Sequence, residues 1–162
     1  MTFSGTLASW DFTGQPGSQV STAATSTAPG MTASVVSRSA ALMASSGTNS
    51  INSNNWPTAA QLDTTRYYTL AVTPAAGCML SLTSMAVDAS ASATGPTAVA
   101  VATSADAFAQ TVSLSTTNPS KPTLSVSKAG GAVELRIYGY SASATAGTLR
   151  LQNTLSLIGA SE

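Results

Sequence analysis

The stretch Cys78–Asp88, CMLSLTSMAVD, decides the fold. Leu80 and Leu82 share one parity, while Met85 and Val87 share the other. Side chains of a β-strand point alternately to opposite faces. An unbroken strand therefore cannot bury both pairs in one core. A β-bulge at Thr83-Ser84 restores the phase and turns all four apolar side chains to the same side. The alternative is a strand covered on both faces.

The same two-residue period recurs on either side. Arg66–Thr73 places Tyr68, Leu70 and Val72 on one face, with Tyr67, Thr69 and Ala71 on the other; Pro74-Ala75-Ala76-Gly77 then turns the chain. Ala132–Tyr140 alternates Val133, Leu135 and Ile137 with Glu134, Arg136 and Tyr138, so the opposite charges of Glu134 and Arg136 face solvent. After Gly147, the residues Leu149, Leu151, Leu155 and Leu157 share a parity. Leu7–Phe12, Met31–Arg38, Thr97–Thr103, Thr111–Ser115 and Pro122–Ser127 are further strands bounded by Gly, Pro and Asn. Together these make about eight to ten strands, the spacing of an antiparallel two-sheet sandwich. A helix of a turn or two fits only Pro57–Leu62 or Ser104–Ala109. The low-complexity tracts Ser18–Pro29 and Ala44–Asn55 read as long surface loops, within 13–30 and 44–60. Ser18–Pro29 is expected to become protected only in an assembly.

The chain has 162 residues, enough for one domain with a substantial core, and 43% are hydrophobic. Only 7% are charged and the formal net charge is zero, against about 25% charged residues in ordinary globular domains. The surface must be built largely from Ser, Thr, Asn, Gln and Ala. Low net charge favours association. Such a surface suits a protein held against other protein, a secreted domain with a neutral coat, or a neutral soluble monomer. Nucleic acid is disfavoured, because phosphate binding needs clustered cations. Arg38, Arg66, Lys121, Lys128, Arg136 and Arg150 are scattered and matched by six acids. No apolar run approaches the ~18 residues of a membrane span. MTFSGTLASWDF has neither a basic start nor a continuous apolar core, so a cytoplasmic product, or a mature or recombinant fragment given a new Met, is expected. Cys78, the lone cysteine, has no internal disulfide partner and reads as a small buried hydrophobe.

Histidine is absent. That removes His-based acid–base catalysis, Ser–His nucleophiles and the commonest transition-metal ligand. With one cysteine, a zinc site lacks ligands. The acids Asp11, Asp63, Asp88, Asp106, Glu134 and Glu162 form no cluster in sequence, so neither a glycosidase pair nor an enzyme of another kind is expected. Asp11, Asp88 and Asp106 can supply calcium only if the fold brings them together. No cofactor is expected. Among the aromatics, Trp10 alternates with Phe12 and reads as core. Trp56, in the polar stretch Asn52–Pro57, reads either as a plug closing one end of the sandwich or as a binding residue. Tyr138 and Tyr140 flank Gly139 on the outer face. Trp56, Tyr138 and Tyr140 are therefore the candidate ligand-binding residues, since flat rings stack on sugars.

The segments ASWDFTGQPG (8–17), YYTLAVTPAAGCMLSLTSMAVD (67–88), TGPTAVAVATSADAFAQ (94–110), AVELRIYGYSASATAGTLRLQN (132–153) and TLSLIG (154–159) together resemble a family of bacterial secreted and surface proteins, often found beside PEP-CTERM-type sorting tails. The resemblance implies an all-β, jelly-roll-like antiparallel sandwich and a role in adhesion, carbohydrate binding or extracellular matrix. Relatives usually carry an acid where this chain has Gln152. Jelly-roll-like sandwiches also decorate phage capsids. A neutral, Ser/Thr/Ala-rich chain of this length is similar to such proteins. The expected function is a non-catalytic virion decoration or cement protein, self-associating and binding capsid or surface-layer subunits. The alternative is a secreted glycan-binding or adhesion module.

Overall fold

The computed structural model describes residues 2–162. In chain order its strands are β1 (Phe3–Asp11), β2 (Pro16–Gly17), β3 (Ser21–Thr22), β4 (Ser26–Thr27), β5 (Met31–Ala33), β6 (Val36–Arg38), β7 (Met43–Ser45), β8 (Ser50–Asn54), β9 (Tyr67–Pro74), β10 (Leu80–Ala91), β11 (Pro96–Thr103), β12 (Val112–Leu114), β13 (Thr123–Ala129), β14 (Val133–Ala142) and β15 (Leu149–Ser161). Sheet I runs β13-β10-β15-β1-β4, with β8 on β15 and β2 and β7 on β8. Sheet II runs β12-β11-β14-β9-β6-β3, with β5 also on β9.

The eight longer-range strands pair as nested partners, all antiparallel: β1 with β15, β9 with β14, β10 with β13, and β11 with β12. The chain alternates between sheets from β9 to β11 and again from β12 to β15. This is jelly-roll connectivity. The segment β2–β8 is inserted between the first two strands of that frame and widens both sheets.

One core fills the space between the sheets. β1 contributes Trp10, β9 contributes Tyr68, Leu70 and Val72, and β14 contributes Val133, Leu135 and Ile137. The decisive stretch is bulged where its pattern demands. The register of β10 shifts between Leu82 and Ser84 against both neighbours, Thr83 is exposed, and Leu80, Leu82, Met85 and Val87 are all buried. The last strand keeps Leu149, Leu151, Leu155 and Leu157 inward while changing partner from β8 to β1 at Asn153, whose φ is 58°.

Several expectations are corrected. Ala44–Asn55 is not a surface loop: it contains most of β7 and all of β8, and Ser50, Ile51, Asn52 and Ser53 are buried. Ser18–Pro29 holds β3 and β4 within the single chain, tied to β1 by Thr25 N–H to Ser9 O at 2.8 Å and Ala28 N–H to Leu7 O at 2.8 Å. β3 buries only Thr22, β4 is exposed, and β8 buries Ser50, Asn52 and Ser53 beside the lone apolar Ile51, so hydrophobic alternation cannot reveal them. Arg38 replaces hydrophobic contact here. Its Nε donates to Ser53 Oγ at 2.8 Å, and its remaining nitrogens donate to the carbonyls of Gln19 (2.7 Å), Gly17 (3.1 Å) and Asn52 (3.1 Å). Met31–Arg38 is two strands, broken at Ser34-Val35, where the Ser34 carbonyl accepts Trp10 Nε1–H at 2.9 Å. Residues 57–62 are not helical, and Ser104–Asp106 forms one 3₁₀ turn. Cys78 is half-buried rather than buried, because it lies in the turn before β10.

Candidate functional site

The candidate aromatics do not form one platform. Trp56 is fully buried, donates Nε1–H to Ser53 O at 2.8 Å and meets the Tyr68 ring edge-on at 5.4 Å. It is the plug. Gly139 faces it: a Cβ there would lie 3.1 Å from the Trp56 ring. Strand alternation then sends Tyr138 and Tyr140 to the opposite face of β14. Tyr138 is not exposed as its pattern suggests. It is 2% exposed and packs edge-on against Tyr67 at 5.7 Å. Tyr140 is half-buried and pairs across the strands with Ala98.

The face carrying Tyr138 is closed by a cation–π stack. The Arg136 guanidinium lies 4.1 Å from the Phe108 ring centre and 4.5 Å from that of Tyr67. Phe108 reaches it from a tight loop in which Ala107 and Phe108 both have positive φ, 57° and 61°. Glu134 Oε1 accepts from Arg136 Nε at 2.9 Å and from Thr69 Oγ1 at 3.0 Å. Burial works against the Arg136 charge, but its hydrogen bonds to Glu134 and Tyr138 and the Glu134 charge outweigh it, so its pKa rises. Buried Tyr68 is likewise held protonated: burial raises its pKa, and its hydroxyl donates to Leu149 O at 2.6 Å.

The acids are dispersed. Asp11 accepts from Thr13 N–H, Asp106 from Gln110 N–H, and Asp88 from Gln152 Nε2 (3.1 Å) and Asn153 Nδ2 (2.7 Å). Among the described residues no three His, Cys, Asp or Glu side chains group as a metal site, and no helix is long and apolar enough to cross a membrane.

A feature missed in the sequence lies on the outer face of sheet I. Strand register aligns Ser45 (β7), Asn52 (β8), Arg150 (β15) and Ser90 (β10) in one row across four adjacent strands. They floor a polar groove of about 290 Å³, walled in part by Ser92 and Thr148. Asn52 and Ser45 sit in the tract that reads as loop, so only the register brings them to Arg150. A second cleft, also about 290 Å³ and more apolar, opens between β11–β12 and β13, lined by Val101, Val112 and Leu124 with Asp106 and Gln110.

Compared with known protein-family models, curated proteins and solved structures, the chain matches none.

Proposed function

We propose that the chain is a non-catalytic structural surface subunit that self-associates and seats on a repeated protein lattice. Its concrete form is a virion decoration or cement protein on a capsid; a cell-surface layer is the other lattice of this kind. The observation that supports this most is the outer face of sheet I around β1 and β15. There the row Ser26–Ser9–Ser156–Ala86 crosses β4, β1, β15 and β10, with Ser9 and Ser26 hydroxyls 2.7 Å apart. Short side chains lose little conformational entropy when a second surface covers them.

Much of the charge is engaged elsewhere in the fold, and the charges beside this row, Asp11 and Asp88, are held by hydrogen bonds. Arg66 pairs with Asp63, Lys128 with Glu162 and Arg136 with Glu134, while backbone carbonyls hold Arg38. The β13 edge is a poor competitor. β13 is flanked by Lys121 and ends through Lys128 at φ 50°, devices that blunt an edge against strand addition. A sugar platform built from Trp56, Tyr138 and Tyr140 loses support, because the rings face opposite sides of β14.

The test is Ser156→Glu, which places charge in the middle of the face without touching the core. Self-association, followed by light scattering, is expected to fall while the melting temperature holds. Unchanged association would overturn the assignment of this face.

A further inference from the structure

We propose that the groove floored by Ser45, Asn52, Arg150 and Ser90 binds a carboxylated sugar, a uronate. The charge pattern points there first. Among the described residues, Arg150 makes no ion pair and no guanidinium hydrogen bond, although it is half-buried. The other two cations without an acid differ from it: Arg38 is held by a hydroxyl and three carbonyls, and Lys121 is exposed. A partly desolvated guanidinium without an anion is unfavourable, and its planar fork matches a carboxylate through two parallel hydrogen bonds.

The floor also contains an acceptor without a donor. Asn52 is 5% exposed; its Nδ2 donates to Ser46 O at 2.7 Å, and its Oδ1 has no partner. A buried polar atom left unpaired signals a missing donor. That atom is closed to solvent, so it shapes the floor, while the polar groups open to a sugar are Arg150 and the lining hydroxyls. Ser45, Ser90, Ser92 and Thr148 add hydroxyls that both donate and accept, which suits a ring rich in hydroxyls. At about 290 Å³, the groove lies at the small end of ligand sites, roughly 300–1,000 Å³. That size fits one sugar ring.

The charge of the ligand is also constrained. Asp88 lies one row along β10 from Ser90, opposite Gln152, and repels a second negative charge. One guanidinium beside one carboxylate selects a monoanion over phosphate. This site lies on β7, β8, β10 and the first half of β15, and it does not depend on lattice assembly.

The test is calorimetric or NMR titration of the full chain with glucuronate, glucose and inorganic phosphate. Saturable glucuronate binding is expected, with glucose and phosphate each weaker by about tenfold or more, the size of one lost charge-assisted contact. Arg150→Gln should abolish the preference for glucuronate over glucose, and Ser90→Ala should weaken glucuronate a few-fold with the preference kept. Unfolding curves for both variants should match the parent. Equal binding of all three ligands, phosphate binding as tight as glucuronate, no saturable binding, or an Arg150→Gln protein that keeps the preference would each overturn the proposal.

Discussion

Arg38 holds β8 in place, and removing its charged head while keeping its stem isolates that role. Arg38→Met deletes four hydrogen bonds at 2.7–3.1 Å, to Ser53 Oγ and to the carbonyls of Gln19, Gly17 and Asn52. A hydrogen bond to a charged group contributes about 1.5–3 kcal/mol, and breaking a buried charged network costs about 3–5 kcal/mol. Arg38 is only half-buried, and burial itself opposes its charge and lowers its pKa. Water can therefore replace some partners, and the cost comes down to about 2–4 kcal/mol. At this chain length each kcal/mol moves the melting point by about 2–4 °C, so a fall of roughly 5–15 °C is expected. Thermal and urea unfolding measure the loss, and hydrogen exchange locates it at Ser50–Asn54. Arg38→Lys should rescue only in part, because an ammonium cannot reproduce the fork. A change under about 0.5 kcal/mol, or unaltered exchange in β8, would refute the role given to Arg38.

Trp56→Ala should destabilise by about 3–5 kcal/mol in urea unfolding, as for a large buried aromatic, and Tyr140→Ala by clearly less; equal losses would contradict the plug. Deleting Thr83 removes the extra residue of the bulge and leaves Leu80, Leu82, Met85 and Val87 in unbroken alternation on the core face, so soluble, cooperatively melting protein should still be recovered; loss of cooperative melting would contradict the bulge. Thr65→Ala should raise the Asp63 pKa toward the ordinary carboxylate value, because hydrogen bonds from the Thr65 hydroxyl and N–H hold it low. Its folded pKa lies below the unfolded one, so its contribution is present above the unfolded value and is lost as pH falls through the folded value. NMR titration of the Asp63 carboxyl checks the shift.

Legibility followed hydrophobic alternation. Where the buried side chains are Leu, Val and Ile, as in β9, β10, β14 and β15, both the strand and its inward face could be read, and the mismatch between Leu82 and Met85 marked the bulge. In β8 the inward residues include Ser53, held by Arg38 fifteen positions earlier. Nothing local in Ser-Ile-Asn-Ser-Asn distinguishes that strand from a loop. Trp56 offered two roles in sequence, and the close approach of Gly139 assigns it to the core. Tyr138 looked exposed because period two places it outward; its burial depends on Tyr67 from another strand. The Arg150 groove joins residues from four strands, and a row of that kind exists only after pairing is known.

Light scattering over a wide concentration range, at low and high salt, tests self-association through a weakly charged face most directly. The expected result is a mass that rises with concentration and changes little with salt, since paired internal charges leave little for salt to screen. A mass that stays monomeric at every concentration, or an association that salt dissolves, would contradict it.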